Sequence, residues 1–189
     1  MRNDKTKKLS ISGICLALCV LLPMFIAQVP QIGVAISPMH IPVLLCAFLA
    51  GPFYAAAIGA VAPLLNFLLR GVPPIIPMGL TMVFELAAYG LVAGFMYLKL
   101  PDKAISVYVA LIIAMFFGRV VWGIAMLLLL GLGGAGVFTW PMFIGGAVLN
   151  AIPGIILQII LIPAIMVALN RTGLVRFHRE HAAEAGVEN

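Results

Sequence analysis

Glu85 and Arg119 are ionisable side chains that each stand inside a long apolar run. An ionisable group at the centre of a membrane helix costs roughly 2.5–3.5 kcal/mol on insertion scales, so such residues are placed for a reason. Two chemistries fit an acid and a base set this way. They pair with each other and lock two segments together, or they meet a polar ligand in a pocket. Aromatic residues share their faces: Tyr89 lies one helical turn beyond Glu85, and Trp122 three residues beyond Arg119. Polar groups among aromatic walls describe a small-molecule site. A pair that opens to take an anionic or zwitterionic ligand satisfies both readings.

Weaker candidates lie nearby. Asn66 and Asn150 sit in apolar runs as further ligand contacts or as hydrogen-bonding glue between helices, and Gln158 reads as glue. His40, in Ser37-Pro-Met-His40-Ile-Pro, reaches substrate or rests at the lipid headgroups, and Arg70 extends toward those headgroups. At 1.5 Å of rise per residue, Glu85 is about 9 Å, Asn150 about 12 Å and Arg119 about 18 Å below the outer ends of their segments. Their heights can converge in the outer half of the bilayer.

Catalysis finds no support. There is no G-x-x-x-x-G-K-[ST], no H-E-x-x-H and no G-x-S-x-G, so neither a phosphate-cradling loop nor a hydrolase motif is present. Glu85 is the sole carboxylate in the apolar segments, whereas an intramembrane enzyme needs two or more catalytic groups. The expectation is a protein without catalytic residues, cofactor or metal site. Cys15, Cys19 and Cys46 lie in apolar runs at no metal-ligand spacing and read as small packing residues.

The elements that must position these groups are membrane helices. Of 189 residues, 64% are hydrophobic and only 9% charged, with a mean hydropathy of +1.21. That leaves too little polar surface for a soluble domain and too little charge for a disordered one. The net charge of +5 does not point to nucleic acid, because the basic residues fall in tails and short connections. The runs are apolar on every face, which excludes the alternation of barrel strands. Six helices are expected, at about 9–28, 41–50, 53–70, 79–98, 104–130 and 142–169, the second too short to span alone. Lysines 5, 7 and 8 ahead of the first run resemble a signal peptide, but that run is long enough to span. Arg2, Lys5, Lys7, Lys8, Lys99, Lys103, Arg171, Arg176 and Arg179 all fall on one side if both termini are cytoplasmic, as the positive-inside rule requires. The expected organisation is one membrane domain over 1–170 and a polar cytoplasmic tail over 171–189.

With these segments drawn, the chain resembles the substrate-binding S components of energy-coupling factor (ECF) vitamin transporters, over about residues 8–170. The likeness rests on size, six segments with a short second one, and basic cytoplasmic tails. It rests also on Gly13-x-x-x-Ala17 in helix one and on the stretches SPMHIPVLLCAFLAGP and PPIIPMGLTMVFELAAYGLVAG. The resemblance implies a multi-pass protein of the bacterial plasma membrane that captures a vitamin at the outer face. It implies docking, through the small-residue face at Gly13 and Ala17, on a transmembrane coupling subunit driven by two ATPase subunits. In the family that face is A-x-x-x-A; glycine at the first position preserves close approach. ATP hydrolysis would then belong to other chains.

The substrate expected from the residues is a small carboxylate-bearing vitamin such as pantothenate or nicotinate, because arginine grips carboxylates with paired hydrogen bonds. If Glu85 neutralises Arg119, a neutral pyrimidine or pyridine vitamin fits as well. The first outer loop has no acid, unlike that of riboflavin carriers. The competing class is a cell-envelope scaffold of the rod-shape protein kind, with no small-molecule substrate. Inverted repeats, which would mark a stand-alone carrier, are not evident.

Overall fold

The structure, a computed structural model, describes residues 2–26, 37–101, 103–132, 139–143, 145–146 and 151–172. These residues are mostly helical, with no strand among them. The helices are α1 (Arg2–Ile26), α2 (His40–Leu49), α3 (Pro52–Arg70), α4 (Leu80–Lys99), α5 (Ala104–Leu132) and α6 (Ile152–Arg171). Five are long and apolar enough to cross a membrane, and α2 is the short sixth. The protein is therefore an all-α, multi-pass membrane protein.

One boundary differs from expectation. α1 begins at Arg2 rather than near residue 9, because lysines and threonine in its first turns are compatible with helix even outside the apolar run. In the last segment the structure describes a helical turn at Trp140–Phe143 and α6, which has Pro153 in its first turn, where proline is favoured; residues 144 and 147–150 lie outside the described residues.

α2 is the core. Ten residues rise about 15 Å, half of a hydrocarbon layer, and every residue from His40 to Phe48 is buried. It packs against α1, α3, α4 and α6. Gly51, at φ 104°, turns the chain sharply into α3, whose Pro52 starts the next helix. α3 and α4 then run against each other almost backbone to backbone. A Cβ on Gly59 would lie 2.6 Å from the Leu86 carbonyl oxygen, and one on Gly90 would lie 2.6 Å from the carbonyl carbon of Ala55. Small residues permit this approach, which helix pairs in lipid need because no hydrophobic drive joins them.

α1 is tied in by a proline. Pro23 has no N–H, so the Cys19 carbonyl one turn earlier loses its helical donor. Asn66 of α3 supplies the replacement, its Nδ2 donating to Cys19 O at 3.1 Å and to Ala62 O at 3.0 Å, with Met39 Sδ at 3.4 Å. The cysteines pack as expected: Cys19 Sγ meets Met39 O at 3.6 Å, and Cys46 Sγ meets Ser12 Oγ at 3.6 Å. Asn66→Ala should lower stability by about 1–3 kcal/mol, the cost of leaving a buried carbonyl unmet. Unfolding by SDS titration from dodecyl maltoside measures this; a loss below about 0.5 kcal/mol would mean the carbonyl finds another donor.

Candidate functional site

A cavity of about 530 Å³ opens between the helices, at the end where the 71–79 connection and the residues preceding α2 lie. That is the size of a small-molecule site. Helices α1 to α5 and the residue before α6 all contribute wall, so the site depends on the whole bundle. The connection between α3 and α4 contributes Val72, Pro73 and Met78 to the wall and is extended at Ile76 (φ −115°, ψ 130°).

The polar centre of the cavity is Glu85. Its Oε1 lies 2.9 Å from Arg119 Nη1 and 3.5 Å from His40 Nε2. The Glu85 and His40 side chains are each 3% exposed and that of Arg119 is 17% exposed. Neither approach to Oε1 has hydrogen-bond geometry, so charge rather than a directed bond holds the arginine there. Both ring nitrogens of His40, Glu85 Oε1, Tyr89 Oη and Arg119 Nε are buried without a hydrogen-bond partner among the described residues. Unmet polar capacity at this depth is expensive, and a polar ligand that satisfied it would bind strongly.

The candidate residues separate into layers. Glu85, Arg119, Trp122, His40 and Asn66 all line the cavity. Tyr89 stands behind them, fully buried, its ring edge-on to His40 with centroids 4.9 Å apart. Asn66 reaches the wall, but its amide is committed to α1 and α3 as described above. Asn150 lies outside the described residues. Gln158 is buried in α6 and is not on the cavity wall.

Two placements bear on the sequence reading. Of the two positions left open for His40, the structure has the buried one on the cavity wall, because α2 is enclosed on all sides and carries its first residue inward. Its partner Glu85 is remote in sequence, so no spacing could have announced the contact. Arg70 turns to the cavity instead of away from the bundle; its Nη1 donates to Asn66 Oδ1 at 3.4 Å. Here a signal existed, since positions 66 and 70 are one turn apart on the same face.

A buried polar cluster in a cavity of this size, within a six-helix membrane bundle, is the arrangement of a solute-binding membrane subunit. The family model described as "ECF transporter, substrate-specific component" matches residues 7–166. The chain belongs to this family. No curated protein and no solved structure matches it. As an S component, it is the substrate-specific subunit of an uptake transporter for a vitamin or similar micronutrient, and it works with an energy-coupling module. Such subunits take part in transport rather than catalysis, which accords with a site built around one carboxylate.

Proposed function

We propose that this S component captures a small, carboxylate-bearing micronutrient such as pantothenate or nicotinate from outside the bacterial plasma membrane. The observation that carries the reading is the cavity itself: Glu85, Arg119 and His40 gathered below an apolar wall that includes Trp122 and Met82. Both termini face the cytoplasm in this reading, which puts the cavity mouth outside. The loaded subunit docks on a transmembrane coupling subunit through Gly13 and Ala17 of α1, and two ATPase subunits drive release inside. Gly13 and Ala17 are exposed, and no atom lies within 4 Å of the position a Cβ would take on Gly13, so that face is open to a partner helix.

Mass spectrometry of small molecules retained by the purified, detergent-solubilised chain tests the reading. The expected result is a micronutrient at close to one per protein. A reproducibly empty protein that copurifies with cell-wall synthesis proteins would favour an envelope scaffold instead.

A further inference from the structure

Charge balance in the cavity points to a residue that the substrate reading has not yet used. The chain has six acidic residues, at 4, 85, 102, 180, 184 and 188, so Glu85 is the single carboxylate between the first turn of α1 and the end of α4, and none follows in α5 or α6. Two guanidinium groups line the cavity, those of Arg70 and Arg119. Glu85 is taken by Arg119 at 2.9 Å. Arg70 contacts a neutral atom, Asn66 Oδ1 at 3.4 Å, and among the described residues no carboxylate faces it. The C-terminal end of α3 offsets part of its charge, about half a unit at most. The remainder is a half-buried cation at the rim of a largely apolar cavity, where an anion is strongly favoured.

We infer that Arg70, rather than Arg119, receives the anionic group of the substrate, while the Arg119–Glu85 pair and His40 meet its neutral polar end. This rests on the uptake reading above and sharpens its substrate class. The ligand is a small amphiphile with one anionic head. Its body lies along Met39, Met78 and Met82, whose flexible thioethers adapt to an apolar or weakly polar chain or ring. Asn66 is the positioning residue for Arg70, because its amide is fixed at the other end to the backbone of α1 and α3.

The test compares full-length wild type with Arg70→Gln, Arg70→Lys and the double variant Glu85→Gln/Arg119→Gln. Each is purified in nanodiscs, checked for a monodisperse peak and an unchanged unfolding midpoint, and analysed for bound small molecules by untargeted mass spectrometry. Wild type should retain a molecule with one ionised acid group. Arg70→Gln should retain it about 10- to 100-fold more weakly, the range for a lost charge-assisted hydrogen bond. Arg70→Lys should fall between the two, since lysine keeps the charge but not the paired donors. The double variant, with its net charge unchanged, should still select an acid. If Arg70→Gln is not monodisperse, Arg70→Lys decides, and retention equal to wild type overturns the assignment. An acid held equally well by Arg70→Gln also overturns it and leaves the uptake reading standing; a bound micronutrient without an acid group overturns it together with the carboxylate part of that reading, and leaves only uptake. A phospholipid lost from Arg70→Gln in place of a small metabolite would assign Arg70 to a lipid headgroup and overturn it too. An empty wild type would instead sink the uptake reading, and this assignment with it.

Discussion

Arg119→Leu is expected to destabilise the protein by about 3–5 kcal/mol, while the double variant Arg119→Leu/Glu85→Leu should lose much less than the sum of the two single changes. The reason is the position of the pair. Glu85 is 3% exposed and its Oε1 lies 2.9 Å from Arg119 Nη1. Removing the arginine leaves a carboxylate in a low-dielectric interior, with only the His40 ring, 3.5 Å away, to offset it. Removing both charges leaves an apolar gap that leucine side chains largely fill. SDS titration of the three variants and wild type from dodecyl maltoside supplies the cycle. A coupling energy below about 0.5 kcal/mol would show that the two groups act independently. The same cycle separates stability from recognition, because the double variant folds without the charges that the ligand's neutral polar end would meet.

The helical architecture was legible because its cause is local. Apolar runs of about 20 residues admit one backbone solution in lipid, and Gly51-Pro52 and Arg70-Gly71 mark where those runs break. The last segment was harder. Trp140, Pro141, Gly145, Gly146, Pro153 and Gly154 crowd one apolar stretch, and hydropathy alone does not show that α6 opens at Ile152.

Within the site, Glu85 and Arg119 were identifiable from cost alone: a membrane tolerates few charges, so each one is informative. Helix rise alone leaves them about 9 Å apart in depth, and the long arginine side chain reaches across that gap to the 2.9 Å contact. What depth cannot supply is azimuth. Tyr89 shares a helix face with Glu85, yet the ring packs over Gly118 and against His40, one layer behind the cavity. Asn66 was open between ligand contact and glue; it lines the cavity, and its amide donates to the Cys19 carbonyl that Pro23 of another helix leaves without a helical donor. Their positions at segment ends left His40 open between substrate and headgroups and drew Arg70 toward the headgroups. The enclosure of α2 and the Asn66 amide turn them inward instead, and both are tertiary effects that one segment's sequence does not carry.

Gly13→Leu is expected to abolish most transport while leaving substrate binding intact. The two sides of α1 explain why these should separate. Ser12, Cys15 and Cys19 are buried on the side facing the bundle, where Ser12 and Cys19 reach Cys46 and Met39. Gly13 and Ala17 are exposed, and a side chain on Gly13 would meet nothing within 4 Å at its Cβ. A leucine there costs the isolated subunit nothing in packing, and helix propensity favours it over glycine by somewhat under 1 kcal/mol. A partner helix that approaches the glycine closely would meet four new carbon atoms. Overpacking of that kind costs about 1–3 kcal/mol, which weakens association about 5- to 150-fold. Proteoliposomes holding the coupling module should therefore take up substrate far more slowly with Gly13→Leu, and the module should retain less of the subunit in pull-down. The purified variant should hold its ligand as wild type does. Gly13→Ala restores the family's small residue and should dock at close to the wild-type level. If Gly13→Leu docks and transports as well as wild type, the coupling subunit uses another surface, and the open face at Gly13 and Ala17 is only lipid-facing helix.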